Sequence, residues 1–283
     1  MKTNIALVSL LALTACAGGG SGGGKPTAVD NIDVNNIPEN PLVLKTPNPN
    51  TQQTVSFKLD ENNKIISVID DYGEHPIDTD GVSEEYIIEL SGSRRDRVTY
   101  NLKGHLVGEE GLQYSNFGTL HKTAYAYDVN PGFPNQWEYI GGDYDVFYGG
   151  DLSKQIEKPS NGEMTFEGRA EMVVSTTFYP TPYTATDAQL VLNNGNETLN
   201  ASFPDWYDIT ITNNTSDGTP MATIGTKNYA WGSENLQGTQ LTDVHFDTQY
   251  YGENGNITEA VAGASGSLPN NLPIEIVFGG KRQ

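Results

Sequence analysis

The chain has one cysteine, Cys16, only four histidines, and after its first residues no apolar run long enough to cross a bilayer as a helix. A lone cysteine forbids an internal disulfide, so packing alone must hold the folded part together. His75, His105, His121 and His245 never recur at i, i+2 or i, i+4 spacing, which argues against a structural zinc site. Positive charge is also scarce: 16 Lys and Arg stand against 36 Asp and Glu, a formal net charge of -20. A field of that sign repels phosphate backbones and disfavours nucleic acid, whereas a basic protein would be steered toward the chain.

Catalytic signatures are missing too. Gly263-Ala264-Ser265-Gly266-Ser267 lacks the second glycine of a nucleophile elbow. No glycine-rich loop precedes both a helix and a Lys-Ser/Thr pair, so there is no phosphate cradle. Asp78, Asp80, Glu84 and Glu85 cluster, but Gly81 falls too early for a helix-loop-helix calcium loop, and the group reads as a solvated turn. The expectation is a non-enzyme with no resident cofactor.

What is present begins at the N-terminus. Lys2, the apolar stretch Ile5 to Leu13 and the lipobox Leu13-Thr14-Ala15-Cys16 read as a lipoprotein signal peptide over residues 1–15, with Cys16 as the lipidated N-terminus of the mature chain. Losing Lys2 takes the net charge from -20 to -21. Gly18-Gly19-Gly20-Ser21-Gly22-Gly23-Gly24 then opens a flexible tether. Pro38, Pro41, Pro47 and Pro49 extend that reading, so 16–53 is expected to be a lipidated linker that lifts the folded part from the membrane.

Beyond it the pattern is all-β. Val55, Phe57 and Leu59 share one strand face, as do Val98, Tyr100 and Leu102; Ile65 to Ile69 and Tyr86 to Leu90 complete a small sheet. A second series starts near Glu163: Met164, Phe166, Ala170, Met172 and Val174 point one way while Thr165, Glu167, Arg169 and Glu171 point the other. Asn193-Asn194-Gly195-Asn196, between Leu192 and Leu199, marks a hairpin. Tyr207, Ile209 and Ile211 follow, then Val244 to Tyr250, Ala260 to Ala264, and Ile274 to Phe278. Even spacing and one apolar face predict a closed antiparallel barrel, filled by small residues such as Ala201, Ala260, Ala262 and Ala264 rather than by a ligand.

The C-terminal residues Tyr250-Tyr251-Gly252, the small-residue strand to Gly266 with Glu259 at its acidic place, and Ile276-Val277-Phe278-Gly279-Gly280-Lys281-Arg282 resemble the closing strands of transferrin-binding protein B-like surface lipoproteins. Ala262-Gly263-Ala264-Ser265 stands where that family has Gly-Gly-polar-Phe. The resemblance covers one lobe. It implies a small β-rich handle domain, 54–160, followed by an eight-stranded antiparallel barrel, 161–283. It also implies outer-membrane anchoring with cell-surface exposure, delivery by a dedicated export translocon, and contact with a host protein through handle loops.

The stretch from Tyr114 to Tyr148 is dense in aromatics and interrupted by Pro131, Pro134 and glycines, and reads as a loop-rich segment. Tyr and Trp cover much area at low entropic cost while keeping a polar handle, which suits a protein-binding surface. Tyr114, Phe117, His121, Tyr125, Tyr127, Phe133, Trp137 and Tyr139 are the candidate ligand-binding residues, with packing of the rings in the core as the alternative. His121, alone among rings, is the first candidate for an axial ligand should haem be bound; otherwise no metal is expected. The functional expectation is capture of a host iron source: transferrin, haemoglobin or haem. An immune-evasion module binding a complement regulator such as factor H, and an envelope lipoprotein without a host ligand, are the alternatives.

Overall fold

The computed structural model describes residues 42–48, 56–60, 64–70, 73–78, 83, 86–89, 95–105, 112–127, 137–175, 180–204, 206–213, 219–227 and 236–283. Cys16, the signal peptide, most of the expected linker and Phe133 lie outside them. Apart from one 3₁₀ turn, Leu152–Lys154, the described elements are all strands in antiparallel ladders.

The first half forms two sheets rather than one. β2 (Ser56–Leu59), β3 (Ile65–Asp70) and β4 (Gly73–Pro76) make a three-stranded sheet. β1 (Leu42–Lys45), β5 (Tyr86–Glu89), β6 (Arg95–His105), β7 (Ser115–Tyr127) and β8 (Trp137–Asp151) make a five-stranded sheet in the order β1-β8-β7-β6-β5. The small sheet supplies Ile65 and Val68 to a core shared with Tyr100, Leu120 and Phe147 of the larger one, and Phe57 tilts against Phe147 at 4.9 Å between ring centroids.

Two expectations are corrected here. β1 falls inside the stretch read as linker, pairing from Leu42↔Asp151 to Lys45↔Tyr148. Its four residues contain no proline, and as an edge strand it needs hydrogen-bond partners on one side only, so Pro41 and Pro47 merely bound it. Lys45 Nζ also reaches Asp247 Oδ2 at 3.1 Å, and the Ser265 hydroxyl donates to the Pro47 carbonyl at 3.4 Å, so 42–48 belong to the folded body. The aromatic segment is likewise not loop-rich: β7 and β8 are 13- and 15-residue strands paired along their length. Pro131 and Pro134 fall in sequence between the two strands, outside the described residues.

The second half is the expected eight strands. β10 (Glu163–Ser175), β11 (Pro180–Asn193), β12 (Asn196–Ser202), β13 (Tyr207–Asn213), β14 (Pro220–Lys227), β15 (Thr242–Glu253), β16 (Asn256–Ser267) and β17 (Pro273–Arg282) pair in the order β14-β13-β12-β11-β10-β17-β16-β15. The short β9 (Gln155–Ile156) adds to the outer edge of β15 at Tyr250 and Tyr251. Among the described residues no ladder joins β14 to β15. Three backbone hydrogen bonds tie β14 to the segment just before β15: Ile224 N–H to Thr239 O, Gly238 N–H to Ile224 O and Leu241 N–H to Ala222 O, each within 2.9 Å.

The inward residues are those the alternation predicts. Phe166, Ala170, Met172 and Val174 join Leu190, Ile209, Ile211, Tyr250, Ile276 and Phe278 in one core, with Ala201, Ala260, Ala262 and Ala264 buried among them. Alternation on β10 continues through Gly168, while the register against β11 shifts between Gly168 and Ala170. Glu197 is buried inside this core, accepting hydrogen bonds from Tyr250 O–H at 2.8 Å, Lys158 Nζ at 3.2 Å, Asn213 Nδ2 at 3.2 Å and Thr248 O–H. Four donors around one carboxylate offset the cost of taking it out of water.

Candidate functional site

β7 and β8 have two faces with different tasks. Leu120 and Phe147 point to the three-stranded sheet, whereas Phe117, Val146 and Tyr148 point to the outer wall of the barrel sheet. There they meet Val173, Tyr251, Val261 and Val277, so β10, β15, β16 and β17 are buried on both sides. This is why residues 260 to 266 of β16 form an unbroken buried run of Ala, Val, Gly and Ser.

The rings land on glycines. A methyl group placed on Gly279 would stand 2.1 Å from the Phe117 ring, one on Gly263 2.1 Å from Tyr148, and one on Gly150 2.6 Å from Tyr251. Burial, then the nearby Asp247 carboxylate to which its hydroxyl donates at 2.9 Å, pushes the Tyr148 phenol far above its ordinary range.

Further along the same β7 face burial relaxes. Phe117 and Thr119 are fully buried, while His121, Thr123 and Tyr125 are half-exposed. Opposite them in register stand Tyr144 across from His121, Tyr139 across from Tyr125 after a bulge, and Trp137 across from Tyr127. The His121 imidazole stacks flat on Tyr144, with centroids 4.1 Å apart and an interplanar angle of 4°. By backbone register the pair of strands therefore sets aromatic residues opposite one another beyond the stacked His121–Tyr144 pair.

Of the eight candidate binding residues, Phe117 is core, packed on Gly279. Periodicity would have separated it from the rest only with knowledge of where the barrel wall ends. Tyr114 lies at the other end, just before β7. Its ring has Lys154 Nζ 5.6 Å above it, and Lys154 in turn bridges Glu253 at 2.5 Å. His121, Tyr125, Tyr127, Trp137 and Tyr139 share the outer half of the ribbon by backbone register, and Phe133 falls in the undescribed connection.

Glu259, the acidic position of the C-terminal motif, ties the two halves together. Its 1 % exposed carboxylate accepts the N–H of Gln113, the N–H of Tyr114 at 3.1 Å and the Ser115 hydroxyl at 2.9 Å. Burial raises its pKa, and those three donors partly oppose the shift. Sequence reasoning identified the residue without its role, because partners about 145 positions away leave no local trace.

The other histidines are placed separately. His75 Nε2 is 2.9 Å from Asp70 Oδ1, and Tyr100 O–H donates to Asp70 Oδ2 at 2.7 Å, a closed network in the small core. His245 is exposed on β15, and His105 ends β6. Among the described residues no three His, Cys, Asp or Glu side chains converge as a metal site.

No protein-family model matches the chain, and no curated protein matches it. Among solved structures it is similar to an intact two-lobed transferrin-binding protein B, Ap-TbpB, at 16 % identity and TM-score 0.42, covering 80 % of this chain and 43 % of that one. A transferrin-binding protein B mutant from Haemophilus parasuis Hp5 gives 16 % identity and TM-score 0.43, with 80 % and 42 % covered. A structure described as a surface lipoprotein gives 15 % identity and TM-score 0.36, with 81 % and 97 % covered. The chain thus spans less than half the length of the transferrin-binding proteins it is similar to.

Proposed function

We propose that the protein is a lipid-anchored outer-membrane lipoprotein, attached through Cys16, that captures a host iron-carrying protein such as transferrin or haemoglobin on the outer half of the β7–β8 ribbon. The reading rests above all on the backbone register that sets Tyr125 opposite Tyr139 and Tyr127 opposite Trp137, together with the fall in burial from Phe117 to Tyr125. Aromatics held in register on a rigid sheet supply large contact area with little ordering cost. The position of β1 supports the same orientation. The chain enters the fold opposite Asp151, fourteen residues along β8 from Trp137, so about 45 Å of strand separates the tether from the ribbon's far end.

The test is retention of host serum proteins by the full chain in detergent, identified by mass spectrometry. Transferrin or haemoglobin is the expected catch, lost when Tyr125, Trp137 and Tyr139 are replaced together by Ala. Retention of factor H alone would favour immune evasion, and retention unaffected by the triple substitution would overturn the outer half of the ribbon as the binding surface. A haemin titration read at the Soret band, with His121→Ala as control, decides whether haem itself is bound.

A further inference from the structure

At the opposite end of β8 a bowl of about 490 Å3 opens where the β15–β16 turn and the end of β17 meet the residues leading into β7. That volume falls within the roughly 300–1,000 Å3 of small-molecule sites. Its two carboxylates, Glu253 and Glu259, are each held by neighbouring donors. Lys154, on the 3₁₀ turn, holds Glu253, and their hydrogen bond depresses the pKa of the carboxylate while raising that of the ammonium. Glu259 is satisfied by Gln113, Tyr114 and Ser115 and stands directly across the ladder from Lys281.

The remaining lining is neutral and two-sided. Asn254, held at a φ of 53° in the turn, and Asn256 present amide groups, the Asn256 oxygen also accepting from Arg282 at 3.5 Å; the Thr258 hydroxyl, donating to the Tyr251 carbonyl at 3.5 Å, keeps its acceptor lone pairs; Tyr114 adds a ring. Such a wall suits neither a metal ion, since the carboxylates are already engaged, nor a phosphate, which would face Glu253 and Glu259. It matches a ligand whose polar groups each donate and accept at once, which is the chemistry of sugar hydroxyls. We propose that this bowl binds a neutral saccharide unit.

The site lies at the tether end of β8, away from the outer half of the ribbon, and stands or falls independently of host-protein capture. Saturation-transfer NMR on the full chain in detergent, with lactose, mannotriose and sialyllactose as probes, tests it. A neutral probe should give transfer signals, and Asn256→Ala or Thr258→Val should weaken its binding about tenfold, the loss of one hydrogen bond of roughly 1.4 kcal/mol, with thermal melts unchanged. Two further arms, a desialylated serum glycoprotein and the lipid-free saccharide of the bacterial surface, distinguish a glycan on a partner from one on the cell itself. No signal from any neutral probe, binding of sialyllactose alone, or binding undiminished in both folded variants would overturn the proposal.

Discussion

Glu275 shows how one residue on the buried interface makes stability depend on pH. It lies on β17 between Val173 and Ser265, on the side turned to β8. Burial first, and the Asp145 carboxylate second, push its pKa from 4.5 to about 7. The folded state therefore holds a proton that the unfolded chain releases, so its stabilising share is complete below pH 4.5 and is lost as pH rises to about 7. The shift of about 2.5 pKa steps corresponds to about 3 kcal/mol at most. Denaturation in urea at pH 5 and pH 8 should show the wild type weaker at the higher pH, and Glu275→Gln should remove much of that difference; an unchanged slope would show that Glu275 is not its source. Glu259, also raised, contributes in the same direction and leaves a residual slope in the variant.

At the scale of elements, local signals served well wherever the contact was also local. Asn194-Gly195 turns at φ 49° and 82° between Asn193 and Asn196, the positive angles a two-residue hairpin demands, and Asn254-Gly255 repeats the device at 53° and 77°. Strand faces in the barrel half followed alternation through the Gly168 bulge. Gly279 is different, because its need for a bare Cα comes from Phe117 more than 160 positions away, not from its backbone angle. Gly279→Ala should cost about 1–3 kcal/mol by overpacking, read as a lower urea midpoint. Adding Phe117→Leu should recover part of the loss, whereas a neutral Gly279→Ala would mean the ring does not rest there. The β7–β8 pair reads as loop in sequence because prolines and glycines interrupt its alternation, although both prolines fall between the two strands.

At the scale of the whole molecule, the three-stranded sheet, the five-stranded sheet and the barrel sheet stack through two apolar interfaces. Val173, Tyr251, Val261 and Val277 are outward-facing on the barrel sheet yet buried, so residues 161–283 alone would expose a continuous apolar wall. That fragment should bind a hydrophobic dye and elute as aggregate in size exclusion, unlike the full chain. A soluble, cooperatively melting monomer would show instead that the two halves fold separately at the boundary read from the sequence.

Composition and alternation by themselves determined the all-β class, seven of the eight strands of the second half, their inward residues and the Asn194-Gly195 hairpin, because each depends on neighbours a few positions apart; β14 carries no such mark, and the number eight came from the family resemblance. Tertiary structure alone decided that residues 42–45 join a sheet, that Phe117 is core while Tyr125 is half-exposed, and that Glu259 clamps the start of β7. Those outcomes depend on which strand meets which across more than a hundred residues, and the chain carries no periodic mark of that meeting.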